Sequence, residues 1–232
     1  EDMIATIRSR CRHLGLRIPT ASAVADLLVR EGVATPDVAL EAARAAQSHI
    51  GLARALARDP QMRERRRAII TAPASVRSVG EAVMAADRLL ETAKAQADAQ
   101  VSERNAREKA ELMRQLGMDE GESATKASRT MIRQLEEDQK RRSKRALTDA
   151  IDRALIDLLA IYRDVLMVQV GGDGELINTD LSDLVHEIAL DSTPRQTLAR
   201  VDHIETARKR LVSNGNPLLV LEDMAISLRP QA

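Results

Sequence analysis

The residues from Ser78 to Gln169 constrain this chain most, because they read as two helices too long for a small globular core to enclose. One runs from Ser78 or Val79 to about Gly117 and the other from Glu122 to about Gln169, which at 1.5 Å per residue is roughly 55 and 70 Å. Gly117-Met118-Asp119-Glu120-Gly121 joins them, so the pair folds back as an antiparallel hairpin. The apolar spacing changes along its length. Near the base, Leu147, Ile151, Leu155, Leu158, Tyr162 and Val165 recur every three or four residues and face a core. Along the shaft, about residues 91–146, Lys94 to Ala110 offers mainly alanine and Val101, and Glu136 to Arg145 offers nothing apolar. That composition predicts a thin, exposed and mobile coil that projects from a globular base. Leu112, Met113, Leu116, Met131, Ile132 and Leu135 supply small apolar contacts at its tip.

The rest of the chain also reads as helix, in shorter pieces. Thr20 caps a helix through Arg30 with Ala23, Leu27 and Leu28 on one face, and Gly32 stops it. Thr35-Pro36 opens a second helix to about Ser48. Gly51 breaks that helix, and Leu52 to Ala57 starts a third that ends near Asp59-Pro60. Beyond the hairpin, Gly171 to Gly174 is a loop, Asn178-Thr179-Asp180 caps a short helix, and Thr193-Pro194 opens one carrying Leu198, Val201, Ile204 and Leu211. Asn214-Gly215-Asn216-Pro217 stops it and starts the last, Leu218 to Ala225, which is apolar around most of its circumference. Such a terminal helix lies buried in its domain or against a neighbouring chain. The expected fold is all-α: an N-terminal segment over 1–18, a three-helix bundle over 19–60, and a larger helical domain over 61–232 that carries the hairpin.

Charge and composition remove several classes of function. The 35 Lys and Arg residues equal the 35 Asp and Glu residues, so no net field draws the molecule to nucleic acid or to an anionic membrane. With no Phe, no Trp and only Tyr162, base-stacking platforms are missing, which argues against a single-strand-binding or RNA-recognition module. The lone Cys11 cannot form an intramolecular disulfide, and no apolar run approaches the ~20 residues of a membrane span, so a cytoplasmic location without membrane contact is expected. His13, His49, His186 and His203 lie far apart, and no metal site is expected. The basic clusters Arg63 to Arg67 and Lys140 to Arg145 suit phosphates, although Glu136-Glu137-Asp138 just before the second favours pairing within the helix. No nucleophile, base and orienting group come together, so no complete active site is assembled from these residues.

The start of the chain is distinctive. Ser9-Arg10-Cys11 sits in the arginine-dense stretch Thr6 to Arg12, followed by the extended exit Leu14 to Pro19. Glu1 in place of an initiator Met reads as a chain entered partway through a larger protein. Triplet, three-helix bundle and closing helices together resemble the delta-prime subunits of bacterial DNA polymerase III clamp loaders. In that AAA+ family a Ser-Arg-Cys motif closes the ATPase subdomain, a helical lid follows, and a helical collar ends the chain. Gly51 to Leu56 falls where the family's sensor-2 segment, Gly-Ser-x-Arg-Asp/Ala-Ala, sits, with glycine and Arg54 matched and the serine replaced by Leu52. Asp191 to Arg210 and Asn216 to Glu222 resemble the helices that end the collar, which leaves the long shaft as an insertion.

The resemblance implies that Arg10 is an arginine finger, acting in trans on ATP held by a neighbouring motor subunit of gamma/tau type while Ser9 and Cys11 set its turn. It implies that Arg54 is a candidate nucleotide sensor and that this part of the protein binds no cofactor itself. It further implies that the collar packs with gamma/tau and delta subunits in a hetero-pentamer that loads the sliding clamp onto primer-template DNA, as a non-polymerising part of a DNA-directed DNA polymerase III holoenzyme. From the residues alone, Arg8, Arg10 and Arg12 equally suit the solvent side of an edge strand, and Arg54 a solvated lid helix. Two other readings stay open: the gamma/tau-type motor itself, with a phosphate loop upstream, and a structural adaptor whose hairpin is the working part.

Overall fold

The computed structural model describes residues 9–12, 15, 17–117 and 126–229. All regular structure among them is helical, nine α-helices and one 3-10 turn, as the sequence predicts. The chain divides into two compact units, Glu1–Pro60 and Gln61–Ala232.

The first unit holds α1 (Ala21–Arg30), α2 (Pro36–Ala45) and α3 (Ile50–Arg58). The Thr20 hydroxyl accepts from the Ala23 N–H at 3.2 Å and starts α1. Gly32 stops it in the left-handed region, φ 67°, where the Val33 N–H reaches the Leu28 carbonyl at 2.9 Å. The buried face of α1 is Val24, Ala25 and Leu28, with Leu27 half-buried and Ala23 exposed, one register away from the face expected. Alanines dominate the rest of this core, with Ala39, Ala42, Ala43, Ala46, Ala53 and Ala57 buried beside Leu56. The break after α2 differs from the expected one. Gly51 lies in the first turn of α3, and the chain reverses at Gln47 and Ser48, both left-handed with φ 47° and 65°. The Gln47 N–H donates to the Arg44 carbonyl and the Ser48 N–H to the Ala43 carbonyl, which pins the reversal without glycine. His49 then caps α3, its Nδ1 accepting from the Leu52 N–H at 3.1 Å.

The second unit begins within the first turn of α4 (Pro60–Ser75), a helix that the sequence reading did not delimit. It contains Pro73 and buries only Ile70, so its apolar period is nearly invisible. The hairpin is α5 (Val79–Gln115) and α6 (Lys126–Gln169). A reciprocal cap starts α5: the Ser78 hydroxyl accepts from the Glu81 N–H, and the Glu81 carboxylate accepts from the Ser78 N–H. After a 3-10 turn at Thr179–Leu181 come α7 (Ser182–Asp191), α8 (Pro194–Val212) and α9 (Pro217–Leu228). Gly215 is fixed by close approach, since a Cβ there would meet the Arg210 carbonyl oxygen at 2.9 Å.

One core unites these helices: Ile70 of α4, Ala86 and Leu90 of α5, Val185 of α7, Ile204 of α8 and Leu221, Met224 and Leu228 of α9 close around α6. Ile151, Leu155, Leu158, Tyr162 and Val165 face this core at the spacing read from the sequence, with Leu147 half-buried against it. Farther along the hairpin the apolar contact thins to Ala97, Val101 and Ala146. Past these a polar seam holds the two helices together. Gln139 Nε2 donates to the Asn105 carbonyl at 2.9 Å, and Arg142 Nη1 donates to Asn105 Oδ1 and Glu108 Oε2 at 2.7 and 2.8 Å. Nearer the tip, Leu112, Met131 and Leu135 line one shallow groove. The connecting turn, Met118 to Gly121, lies outside the described residues.

Candidate functional site

Ser9 and Arg10 occupy a turn and Cys11 a bend, and all three side chains are exposed. Thr6, Ile7 and Arg8, which complete the arginine-dense stretch, lie outside the described residues, as do His13, Leu14 and Leu16. The Arg10 guanidinium has no ion pair or hydrogen bond with any described residue. The side chain is exposed, and its planar fork of five donors suits a carboxylate or phosphate.

Arg54 is placed differently. It projects from α3 and grips Glu31 at the end of α1 with both arms of its fork, Nε to Oε2 at 3.0 Å and Nη2 to Oε1 at 2.8 Å. Both side chains remain about one-third exposed, 34% and 36%, so the pair braces two helices while still reachable from solvent. The sequence reading missed Glu31 as its partner, because 23 residues separate the two and only the bundle brings them together.

The first basic cluster is largely structural. Arg66 is nearly buried, its Nε donating to Asp157 Oδ1 at 3.1 Å and its Nη2 to Asn178 Oδ1 at 2.6 Å. Arg153 donates to the same Asp157 oxygen at 2.7 Å, and Arg67 pairs with Asp180 at 3.3 Å. Asn178 therefore does not cap the following helix with its side chain, as expected; it joins this network instead. Behind it, Asp164 is fully buried and accepts from the Ile177 N–H, the Asn178 N–H and Asn178 Nδ2 at 3.0, 2.8 and 2.9 Å. Arg66 is thus committed to holding α4 against α6 and the loop after it, which withdraws it from any phosphate.

In the second cluster, Arg141 pairs within its helix with Asp138 at 2.8 Å, the expected arrangement. Arg142 instead crosses the hairpin to Glu108. Hydrogen bonds from Arg142 and then Arg104 pull the Glu108 carboxyl down to about 2. Lys144 reaches Asn214 at 3.1 Å, which leaves Lys140 and Arg145 exposed. Tyr162 is buried against α8, with the Arg200 guanidinium 5.8 Å from its ring centre. Among the described residues no group of His, Cys, Asp and Glu is arranged to hold a metal ion, and no helix is long and apolar enough to cross a membrane.

No family model matches this chain, and no solved structure matches it. A stretch of 72 residues is 38% identical to the DNA polymerase III subunit delta' of Bacillus subtilis (strain 168). That stretch is 31% of this chain and spans 22% of the length of the relative. The likeness is to that part of a DNA polymerase III subunit delta' and carries no finer assignment.

Proposed function

We propose that this chain is the lid and collar of a delta-prime-type clamp-loader subunit working in bacterial DNA replication in the cytoplasm. The carrying observation is the 38% identity over 72 residues to a DNA polymerase III delta' subunit. The exposed Arg10, in a Ser-Arg-Cys turn, agrees with it. In this reading Arg10 reaches ATP held by an adjacent gamma/tau-type subunit and neutralises charge developing on the transferred phosphate. The helical unit from residue 61 onward is the collar, packing with gamma/tau and delta neighbours in a hetero-pentamer that places the sliding clamp on primer-template DNA. Arg54 is first a brace of the lid, and it senses nucleotide only where a phosphate displaces Glu31.

The test uses the full-length protein reconstituted with its partner subunits. Arg10→Ala leaves assembly intact and lowers DNA- and clamp-stimulated ATP hydrolysis by the neighbours. Arg10→Lys restores little, because an ammonium keeps the charge but loses the bidentate fork. Removing an arginine finger slows a single site by roughly 10³-fold or more, so with only one of several sites affected the total rate falls partially. Wild-type hydrolysis and clamp loading by the Arg10→Ala complex would refute the assignment.

A further inference from the structure

Arg200 on α8 is 7% exposed and Tyr162 on α6 is 3% exposed, yet neither polar group is satisfied by its own chain. The guanidinium rests against the tyrosine ring, 5.8 Å from its centre, and neither it nor the Tyr162 hydroxyl makes a hydrogen bond or ion pair with a described residue. Among the described residues, neither the guanidinium nor the hydroxyl is closed from solvent without a partner, so their polar atoms meet solvent, and a ligand acceptor would take the place of water there. Both side chains line the same cavity, about 60 Å³ in volume, together with Arg77, Ser192, Glu187 and Asp191. At about 10–15 Å³ for one ordered water, that space admits a few waters or the head group of a small ligand.

The chemistry of the lining narrows the occupant. Ser192 is already engaged, its hydroxyl donating to the Ile188 carbonyl at 2.6 Å and accepting from Gln169 Nε2 at 3.2 Å. Arg77 uses one nitrogen on the carbonyls of Ala74 and Val76. Burial pushes the Tyr162 hydroxyl up to about 12 against the opposing pull of Arg200, so at neutral pH it is protonated and able to donate. The deep end thus presents hydrogen-bond donors, from Arg200 and Tyr162, to whatever enters the cavity. Glu187 and Asp191 are exposed and balance the two arginines, so a monovalent oxyanion is accommodated while a divalent phosphate meets stronger repulsion.

We propose that the cavity between α6, α7 and α8 binds a carboxylate, seated on the Arg200 guanidinium and receiving a hydrogen bond from the Tyr162 hydroxyl. The source is either a free carboxylic acid or an acidic side chain of a partner protein, which share this head group. Because the chain has no Trp and a single Tyr, its intrinsic fluorescence reports this cavity alone. Titration of the full chain with sodium acetate, against chloride and phosphate at matched ionic strength, should give a saturable millimolar change in Tyr162 emission and a higher Tm with acetate, and weaker responses to the other two. Arg200→Lys should weaken the acetate response about tenfold, through loss of the planar fork.

Should that buried variant fail to fold, the exposed pair Glu187→Gln and Asp191→Asn leaves the core untouched. It should tighten acetate several-fold and admit phosphate. Succinate binding better than N-acetyl-glutamate amide assigns the site to a free acid, and the reverse order assigns it to a partner's side chain. A Tyr162 signal indifferent to every carboxylate, or acetate affinity unchanged in both variants, overturns the proposal and leaves a cavity filled by water.

Discussion

Replacing Asp164 with alanine should destabilise the helical unit by about 3–5 kcal/mol, by the following accounting. The carboxylate is fully buried and accepts from two backbone N–H groups, at Ile177 and Asn178, and from the Asn178 side-chain amide. It also accepts from Arg163 at 2.8 Å, but that side chain is 44% exposed and water replaces the contact at little cost. Three donors are left unsatisfied, each at about 1–3 kcal/mol, and water entering the vacated space holds the sum near the low end. The loss corresponds to a fall of roughly 10 °C in Tm for a unit of this size. Asp164→Asn keeps one acceptor and a similar volume, so about half that loss is expected. Urea unfolding followed by far-UV circular dichroism, with an unchanged m-value, measures both. A loss below about 1 kcal/mol for Asp164→Ala would refute the reasoning, since it would mean that the N–H groups are satisfied without the carboxylate.

Three further outcomes follow from particular contacts. Gln47→Gly removes a Cβ from a left-handed residue and should stabilise the first unit by about 0.5–1 kcal/mol, whereas Gln47→Ala, which keeps the Cβ, should change little; thermal unfolding distinguishes them. Glu108, held near 2 by Arg142 and Arg104, has a folded value below its unfolded one, so its contribution to the hairpin is complete above about 4.5 and disappears as pH falls from there toward 2. A carbon-13 NMR titration of that carboxyl with a midpoint at 4.5 would contradict this. Leu221 is fully buried and Leu219 is 62% exposed on the same helix, so Leu221→Asp should cost at least about 4 kcal/mol, while Leu219→Asp should leave the fold intact and, on the collar assignment proposed above, weaken co-elution with loader subunits.

The all-helical class, the length of the hairpin and the apolar stripe of α6 were legible in the sequence, because each rests on a local rule. Helical period, proline starts, glycine stops and the Ser78–Glu81 cap involve residues no more than four apart, and the chain's own spacing decides them. The triplet around Arg10 is visible as residue types in the sequence, and the structure adds that its side chains are exposed. Other features depended on residues that only folding brings together. Gln47 and Ser48 adopt a left-handed turn without the glycine that would announce it, held by carbonyls of the preceding helix. Arg66, one of several similar arginines in sequence, became a buried strut because Asp157 and Asn178, about a hundred residues away, face it across the core. Arg54 found Glu31, and Arg200 settled over Tyr162, by the same route. A charge shows its type in the sequence, but whether it meets solvent, a partner or the wall of a cavity is decided by the burial and distance that tertiary packing alone sets.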